Sequence, residues 1–513
     1  MNLRIAEKVL FPFVIVLFTM VLYTATLCPG VGPTGDSSQF QFIGKILGIP
    51  HRTGFPTYIL LNWLFIHLVP LRSIAWRVNL MSAFWGSATC LVFYFLLRYL
   101  IQNRSLSFLT SLFFCTTHTF WSLSLVANHY TLNLFFFTTI VFLLLKWHRE
   151  RKDYQLYGAL IIYSISLGNH PTIIFLLLAI IYIIFITDRK IFLTRKMLFL
   201  VLSMVALDCL VYSYILIRSF QKAPYILEVP ILSLRDLFHY ISAGELKSVF
   251  FRFFPQKIMA RVKECFLPSF WGQFFYPALI PLGVFGIFAS CRKKIKECFF
   301  LLLCAVPLLI CVLFLNYGMS FCRGGYVLSI YLIFTVFFCL GAHAVWEFIR
   351  AKKIRKLTYV AIISYLLMGI LSCVNKNYRD VDQSKNTSMQ KKVEKTLSEI
   401  GDHALILETD FCSYTAFLYF LLVEEKWKDK DINVVLIPKV TKATISRLIK
   451  YLSGTRTIRL HMENRAIPFN LDVYTLDLIP RLWVNPFISM EKVSKITKKP
   501  HSYLYRVVLN EKN

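Results

Sequence analysis

Long apolar runs, repeated along most of the chain, constrain its fold more than any other feature of the sequence. A helix crosses a bilayer with about 20 mostly apolar residues. Runs near or above that length fall at about residues 9–28, 75–100, 106–125, 130–146, 155–168, 171–187, 197–217, 271–290, 298–315, 326–348 and 357–374. The chain is 57% hydrophobic, with a mean hydropathy of +0.58, which excludes an ordinary soluble protein. We predict an α-helical polytopic membrane protein with about eleven transmembrane helices.

Basic residues lie in alternate loops between these runs, and they predict the orientation. The loops hold Arg104; Lys146, Arg149, Arg151 and Lys152; Arg189, Lys190, Arg195 and Lys196; Arg292, Lys293, Lys294 and Lys296; and Arg350, Lys352, Lys353, Arg355 and Lys356. Because cytoplasmic loops carry the excess of Lys and Arg, we predict a cytoplasmic amino terminus and an extracytoplasmic carboxyl terminus. The net charge of +29 does not indicate nucleic acid, since these clusters are not interleaved with aromatic residues on a separate domain.

The order of apolar and mixed segments predicts two domains. Residues 1–374 form a transmembrane domain, with a first outer loop at 29–74 and an amphipathic interfacial segment at 218–270. The apolar stretch at 58–69 is too short to cross and is predicted to lie in the interface. In the tail, residues 404–408 and 432–437 are typical of buried strands with a helix between them. Residues 375–513 are therefore predicted to form a small extracytoplasmic α/β domain.

The predicted outer face collects polar residues from loops that are far apart in the sequence. These residues are Asp36, His51 and Arg52 in the first outer loop, Asn128 after the third span, Asn169 and His170 after the fifth, and Arg218 at the end of the seventh. Polar side chains at membrane depth are costly, so a cluster of them indicates a function. We predict an active site on this face.

The same loops carry ordered motifs. They are Gly35-Asp36-Ser37, Leu47-Gly48-Ile49-Pro50-His51, Gly54-Phe55-Pro56, Arg77-Val78-Asn79-Leu80, Tyr130-Thr131-Leu132-Asn133, Ser166-Leu167-Gly168-Asn169-His170 and the segment from Tyr214 to Arg218. In this order they resemble the motifs of a bacterial family of membrane proteins related to the transmembrane O-mannosyltransferases. That family belongs to the GT-C glycosyltransferase architecture.

The resemblance implies a GT-C-like fold, a polyprenyl-phosphate sugar donor, and an acidic residue of the first outer loop as catalytic base. Asp36 occupies that position. The resemblance further implies that a sugar, with mannose as the candidate, passes to a hydroxyl of a protein or glycan acceptor on the outer face of a bacterial inner membrane. The sequence departs from the family at Gln39 and Asn128, where the family has Glu, and at Arg52-Thr53, where it has two prolines.

The charged candidates each have a structural alternative. Asp36 is either the base or the N-cap of the helix that begins after it. Arg52 and Arg218 either bind the donor phosphate, which guanidinium groups contact bidentately, or anchor the chain in the membrane interface. Arg218, at the end of an otherwise apolar span, is the first candidate for the phosphate. Asp410, after the first strand of the tail, is expected to cap a turn or helix rather than to act in catalysis.

The neutral candidates also have alternatives. His51 and His170 either contact a phosphate or sugar hydroxyl or are hydrogen-bonded loop residues. Asn128 and Asn169 bind either substrate or nearby backbone. No cluster has the spacing of a metal site, and the 13 cysteines are scattered through apolar runs as packing residues, so no metal or cofactor is expected.

The sequence is compatible with three functions. The first is glycosyl transfer from a lipid phosphate. The second is a lipid or glycan transporter, which needs polar residues along a path through the bilayer. Most spans have no charge at their centres, with Asp208 as the main exception. The third is a non-catalytic protein that binds a lipid-linked glycan, which the departures at Gln39 and Asn128 keep open.

Overall fold

The structure is a computed structural model in which the chain is mostly helical. It describes residues 3–226, 231–242, 255–274, 279–314, 324–350, 354–427, 429–437, 452, 471–476, 488–497 and 502–509. The described helices are α1 (Leu3–Ala25), α2 (Gly35–Ile46), α3 (Pro56–Leu68), α4 (Ile74–Ile101), α5 (Arg104–Cys115), α6 (His118–Leu123), α7 (Tyr130–Glu150), α8 (Asp153–Leu167), α9 (Leu177–Asp188), α10 (Arg195–Phe220), α11 (Leu234–Ile241), α12 (Pro255–Ala260), α13 (Leu267–Gln273), α14 (Leu279–Lys293), α15 (Ile295–Phe314), α16 (Leu328–Arg350), α17 (Arg355–Val381), α18 (Ser388–Glu399) and α19 (Phe411–Leu422).

Seven helical segments within the described residues are long and apolar enough to cross a membrane. They are Ile74–Ile101, Tyr130–Glu150, Pro171–Leu193, Arg195–Phe220, Ile295–Phe314, Gly324–Phe348 and Leu357–Val381. Shorter apolar helices lie at Val9–Ala25, Pro56–Leu68, Arg104–Cys115 and Phe411–Leu422. The predicted polytopic helical fold is confirmed, whereas the count of eleven spans stays a prediction.

The central helices α4 and α7 pack side by side and connect the two faces of the bundle. Polar side chains within the bundle bond to one another or to carbonyl groups. The hydroxyls of Thr19 and Ser87 lie 2.6 Å apart, and the hydroxyl of Tyr23 donates to the carbonyl of Cys115 at 2.9 Å. These bonds are expected in a bilayer, where water cannot satisfy polar groups.

The apolar run at 106–125 differs from the single helix expected for it. It is divided into α5 and the short helix α6 at Thr116 and Thr117. The hydroxyl of Thr116 donates to Phe113 O at 2.9 Å, and that of Thr117 donates to Phe114 O at 2.7 Å. Such local bonds compete with the helical pattern, and here they accompany its end.

The segment at 218–270 is partly helical. The described residues form the end of α10, then α11, which carries Arg235, Asp236 and His239, and then α12 and α13, joined by a wider helical turn at Arg261–Phe266. Residues 227–230 and 243–254 lie outside the described part of the chain. The interfacial placement of this segment and of α3 stays a prediction.

A five-stranded sheet closes the chain. Its strands are β1 (His403–Glu408), β2 (Asp431–Leu436), β3 (Asp472–Leu476), β4 (Ile488–Thr497) and β5 (Ser502–Leu509), in the order β2-β1-β3-β5-β4. The β1 strand pairs in parallel with β2 and β3, while β5 is antiparallel to β3 and β4. The two predicted strands are therefore β1 and β2, and the helix between them is α19. A small C-terminal α/β unit is confirmed, whereas its boundary at 375 stays a prediction.

The helix α19 packs directly on α2, and this contact positions the candidate site. One buried apolar cluster contains Phe40 and Ile43 of α2, Ile215 of α10 and Phe417 of α19. Gly35 allows the close approach, because a Cβ atom there would lie 2.3 Å from Cδ1 of Phe411. The C-terminal unit thus forms one wall around the first turn of α2.

Candidate active site

The first turn of α2 presents Asp36 without using it as a cap. Thr34 is the N-cap, with extended backbone at φ −116°, and its hydroxyl accepts a hydrogen bond from the Ser37 amide at 3.2 Å. The N-cap alternative for Asp36 is therefore wrong. Asp36 lies in the first turn of the helix, where a negative charge is favoured by the helix dipole.

The polar residues that follow Asp36 are all held in place by the surrounding structure. The Ser37 hydroxyl donates to Ala127 O at 2.8 Å, and the Ser38 hydroxyl lies 2.6 Å from that of Thr415. The Gln41 amide donates to Asn79 Oδ1 at 2.8 Å. These bonds attach one helix face to three other segments, and they fix where the Asp36 carboxylate lies.

Asp36 itself is half-buried, and within the described residues its carboxylate accepts no hydrogen bond. It lies close enough to Tyr130 and Cys412 to interact with both electrostatically. The pKa of the Cys412 thiol is raised by burial first, then by Asp410, with a smaller contribution from Asp36. Asp410 caps α19 by accepting from the Ser413 amide at 2.9 Å, as predicted. Asp36 is therefore a positioned carboxylate whose oxygens accept from no donor among the residues that the structure describes.

A stack of aromatic and imidazole rings lies next to Tyr130, the residue that interacts electrostatically with Asp36. The rings of His129 and His170 stack with their centroids 4.5 Å apart, and Phe55 stacks on His129 at 4.7 Å. His51 meets the edge of Phe55 at 5.0 Å. The structure thus brings three loops together: the first outer loop and the turns before α7 and after α8.

Burial keeps the two central histidines neutral. The pKa of His170 is lowered to about 3, chiefly by burial and then by His51. Burial also lowers the pKa of His129, with His170 and His51 adding to the effect. Within the described residues, neither ring nitrogen of His129 has a hydrogen-bond partner, although its side chain is only 2% exposed. We therefore expect these imidazoles to offer hydrogen bonds, not positive charge.

His129, Tyr130 and Tyr326 extend the site beyond the residues predicted for it. The Tyr326 ring lies 5.2 Å from His170 and 5.5 Å from Tyr130. His129 directly follows Asn128 in the sequence, so its position on the predicted outer face was a usable signal. Tyr326 had the same signal, because the segment Arg323-Gly324-Gly325-Tyr326 lies between the ninth and tenth predicted spans, on the same predicted face.

His51 is one end of a hydrogen-bonded chain. Its Nδ1 atom lies 2.7 Å from Gln39 Oε1, and the Gln39 amide nitrogen donates to the Tyr225 hydroxyl at 3.2 Å. Gln39 is fully buried. Since the amide oxygen can only accept, His51 donates from Nδ1. The hydrogen-bonded alternative thus describes His51 in this structure, and a further contact with substrate stays a prediction.

Arg52 follows His51 in the same loop and is half-buried. Gly54 shapes the loop after it, with φ +88°, a value that favours glycine. A Cβ atom at Gly54 would also lie 2.6 Å from Cδ1 of Ile215. The loop is therefore held against α10, at the border of the ring stack.

Arg218 acts in this structure as a clamp on the end of α2. Its Nε atom donates to Leu47 O at 2.6 Å, its Nη2 atom to Ile46 O at 3.1 Å and its Nη1 atom to Gln221 Oε1 at 2.7 Å. Leu47 is the C-cap, in the left-handed region at φ 50°. A cation is favourable at the carboxyl end of a helix. Binding of the donor phosphate by Arg218 stays a prediction.

The two asparagines bond to backbone, as their structural alternative predicts. The Asn128 amide nitrogen donates to Val126 O at 2.8 Å, and its oxygen accepts from the Tyr130 amide at 2.9 Å. The Asn169 nitrogen donates to His129 O at 3.2 Å, while its oxygen has no hydrogen-bond partner in the described structure. Asn169 therefore keeps one buried acceptor available, and Asn128 orders the turn before α7.

No group of three or more His, Cys, Asp or Glu side chains that could hold a metal ion occurs among the residues that the structure describes. Of the three neighbouring histidines, His129 and His170 stack on each other, and His51 meets the edge of Phe55.

The sequence comparisons match the amino-terminal part of the chain. Residues 36–192 match the family described as the N-terminal domain of the protein O-mannosyl-transferase TMEM260. Relatives with that name come from Dictyostelium discoideum, 24% identical over 152 residues, and Mus musculus, 32% identical over 166 residues. The matches cover 29% and 31% of this chain but only 18% and 23% of the relatives. The chain thus spans less than a quarter of the length of the curated relatives it matches.

The structural comparisons cover most of the chain. ArnT from Cupriavidus metallidurans, solved with undecaprenyl phosphate, is similar with a TM-score of 0.63 at 9% identity, over 97% of each chain. The Archaeoglobus fulgidus oligosaccharyltransferase, solved with Zn and sulfate, is similar with a TM-score of 0.51 at 12% identity, over 91% of this chain and 67% of that one. At these identities the likeness concerns the fold. Residues 36–192 are therefore similar in sequence to the N-terminal domain of this O-mannosyl-transferase family, and the chain shares its fold with ArnT and the oligosaccharyltransferase.

Proposed function

We propose that this protein is an integral membrane glycosyltransferase that moves a sugar, with mannose as the candidate, from a polyprenyl-phosphate donor to an acceptor hydroxyl. The observation that carries the proposal is Asp36, a half-buried carboxylate that is held in place on α2 yet accepts no hydrogen bond within the described structure. A general base needs this combination of fixed position and free oxygen atoms. The names of the TMEM260 relatives and the lipid in the ArnT structure support the reaction class and the donor.

In the proposed reaction, Asp36 takes the proton of the acceptor hydroxyl. The acceptor oxygen then bonds to the anomeric carbon, and the bond from that carbon to the phosphate oxygen breaks. The polyprenyl phosphate leaves with the electron pair of this bond. A single displacement needs one base opposite the leaving group, so the reaction tolerates Gln39 and Asn128 in place of the family's carboxylates.

The donor phosphate needs a cation and hydrogen-bond donors. We assign Arg52 to the phosphate, since it lies at the border of the ring stack, with Arg218 as the second candidate. His51, Asn169 and His170 are the proposed contacts of the phosphate and the sugar hydroxyls. The buried, unpaired oxygen of Asn169 supports such a contact, because an unsatisfied buried acceptor is costly without a partner.

The acceptor, a protein or a glycan, is proposed to reach Asp36 beside α19 of the extracytoplasmic unit at 375–513. Support comes from the packing of α19 on α2, which makes this unit part of the site. The proposed location is a bacterial inner membrane, with the amino terminus cytoplasmic and the carboxyl terminus outside. Reporter fusions after Lys353 and after Asn513 should read inside and outside, and the same side for both contradicts this orientation.

The proposal is tested by comparing Asp36→Asn with Thr34→Ala. Asp36→Asn keeps the shape and removes the proton acceptor, so transfer from a lipid-phosphate donor should fall by about a hundredfold or more while the protein stays folded. Thr34→Ala removes the observed cap and should cost about 1 kcal/mol of stability with much less effect on transfer in the folded fraction. Wild-type transfer that survives Asp36→Asn would refute the assignment of the base.

A non-catalytic glycan-binding protein is the second candidate. The observation that favours it is the buried Gln39, whose amide makes two hydrogen bonds at a position where the family has a carboxylate. Such a protein would bind the lipid-linked sugar without turnover in wild type, and Asp36→Asn would not alter that binding. A transporter receives less support, since the Asp208 carboxylate bonds to the Ser164 hydroxyl of a neighbouring helix at 2.9 Å.

A further inference from the structure

A cavity lies at the end of the helix bundle opposite Asp36. Its volume is about 1140 Å³, and it opens between the ends of α4, α7, α14, α15, α16 and α17. Tyr130, beside Asp36, begins α7, whereas Arg149, near the end of the same helix, lines this cavity. At 1.5 Å of rise per residue, the two positions are about 28 Å apart. This region, called here the basic-face cavity, is separate from the candidate active site.

Cations outnumber carboxylates in the lining of the basic-face cavity. Arg149, Lys293 and Lys294 face Glu297 and Glu347. Two of the cations have acidic partners, since Arg149 lies 3.8 Å from Glu297 and Lys293 lies 2.8 Å from Glu347. Lys294 has no ion-pair partner in the described part of the chain, and its pKa is lowered by burial first and then by Arg149. The described lining residues therefore carry one more positive than negative charge.

Backbone geometry adds to this positive potential. The helix α15 begins at Ile295, directly after Lys294, and its first turn reaches the cavity at Glu297. The first amide groups of a helix have no acceptor within the helix, and its amino end carries a partial positive charge. The Glu297 carboxylate lies in this first turn and offsets part of that charge, so the net attraction for an anion comes mainly from the lysine and arginine side chains.

On one side, the basic-face cavity adjoins an apolar groove. A smaller cavity of about 570 Å³ shares Lys293 and Glu347 with it and is lined by Phe285, Phe288 and Phe348. Phe288 is 64% exposed and Phe348 is 69% exposed. In a membrane-spanning bundle such side chains face hydrocarbon. A polar, cationic cavity that continues into an apolar groove matches an amphipathic molecule with a negative headgroup.

We propose that the basic-face cavity binds the phosphate-containing headgroup of an anionic membrane lipid, whose chains lie along Phe285 and Phe288. Free inorganic phosphate carries negative charge but has no apolar part, so it would contact only the charged side chains of the cavity and not Phe285 or Phe288. Basic pockets between transmembrane helices at the cytoplasmic side are suited to such headgroups. The site is independent of the proposed transfer reaction, because it lies at the other end of α7.

The experiment titrates the purified full chain with phosphatidylglycerol, phosphatidylcholine of the same acyl chains, or inorganic phosphate, and counts bound molecules by native mass spectrometry. Phosphatidylglycerol should bind more tightly than both others. Lys294→Gln should weaken its binding about fivefold, the effect expected for one cation near a membrane surface. Lys190→Gln is the matched control, since Lys190 is an exposed lysine that does not line the cavity.

Three results would overturn the proposal. Equal affinity for phosphatidylcholine would exclude recognition of the headgroup charge. Equal affinity for inorganic phosphate would show a site for a free anion, not for a lipid. An identical effect of Lys294→Gln and Lys190→Gln would exclude this cavity. Asp36→Asn should leave lipid binding unchanged, which separates this test from that of the proposed reaction.

Discussion

The hydroxyl oxygens of Ser38 and Thr415 lie 2.6 Å apart, although 377 positions separate the two residues in the sequence. Ser38 belongs to the helix that carries Asp36, and Thr415 belongs to α19 of the C-terminal unit. The Thr415 hydroxyl also lies 3.1 Å from the carbonyl oxygen of Gly35. Gly35, which directly precedes Asp36, and Ser38 are thus both held by contacts with the C-terminal unit.

This junction predicts the effect of Thr415→Val. The substitution keeps the shape and removes the hydroxyl that contacts Ser38 and Gly35. Because the Ser38 hydroxyl still donates to Thr34 O or Gly35 O, the cost should be that of one hydrogen bond, about 1 kcal/mol. We expect a lower thermal midpoint in detergent and reduced transfer, because the first turn of α2 is less well fixed. Ser398→Ala is the control, since Ser398 is an exposed hydroxyl of the same unit. Equal midpoints for Thr415→Val and the wild type would show that this contact does not hold α2.

The clamp by Arg218 predicts that Arg218→Ala destabilises the protein. The substitution removes three hydrogen bonds from a charged donor, of which those to Ile46 and Leu47 close the end of α2. We expect a loss of about 2 kcal/mol or more, with partial recovery in Arg218→Lys, because an ammonium group cannot reproduce the planar fork. Thermal unfolding measures this effect.

Donor binding by folded Arg218→Ala protein distinguishes the two roles of this residue. A purely structural clamp leaves the affinity for a polyprenyl-phosphate donor unchanged in the folded fraction. A fall in that affinity, with a normal thermal midpoint, would instead place the guanidinium at the phosphate and contradict the clamp as its main role.

The low pKa of His170 predicts that stability falls in acid. In the unfolded chain this imidazole takes up a proton near its ordinary value of 6.5, whereas in the folded protein it does so only near 3. Between these values the unfolded state binds more protons, so the free energy of unfolding decreases as the pH falls from about 6.5 towards 3. His129 should act in the same direction.

The pH dependence can be measured as the thermal midpoint at a series of pH values for the wild type, His170→Gln and His239→Gln. His170→Gln should flatten the decrease between about pH 6.5 and 3, because glutamine does not titrate. His239 is exposed on α11 and provides the control. A slope unchanged in His170→Gln would mean that His170 does not contribute to the acid sensitivity.

The sequence was sufficient for the parts of the fold that depend on local patterns. Apolar runs predict the membrane helices, and short apolar stretches in the tail predict β1 and β2. The motif around Asp36 predicts the carboxylate of the site. It does not predict that Thr34 is the cap, because Thr34 and Asp36 are both good capping residues and only the backbone conformation decides between them.

The remaining features of the site depend on contacts between distant segments. Arg218 could be placed at the end of a span, but its bonds to Ile46 and Leu47 exist only when α10 lies against α2. Likewise, the stack of His129 on His170 requires α7 and α8 to be neighbours. Local propensity contains no information on such pairings, so the structure was needed to separate positioning residues from candidate substrate contacts.

The last prediction concerns Gln39→Glu, which restores the carboxylate of the related family. In the structure, the Gln39 oxygen accepts from His51 and its nitrogen donates to Tyr225. A carboxylate at this position accepts from both, since a tyrosine hydroxyl can donate. The variant should therefore fold, and the added negative charge should raise the pKa of His51 by favouring its protonated form.

We expect Gln39→Glu to change the pH profile of transfer more than its maximal rate. Gln39 contacts His51, so a charge at position 39 alters the protonation of His51. The maximal rate depends on Asp36, the proposed base, which is unchanged in this variant. The comparison needs the wild type, Gln39→Glu and the double variant Gln39→Glu/Asp36→Asn, each assayed with a lipid-phosphate donor across pH. The double variant should be as inactive as Asp36→Asn alone. If the new carboxylate instead restored transfer in the absence of Asp36, the base could be supplied from position 39, and the assignment of Asp36 as the required base would be wrong.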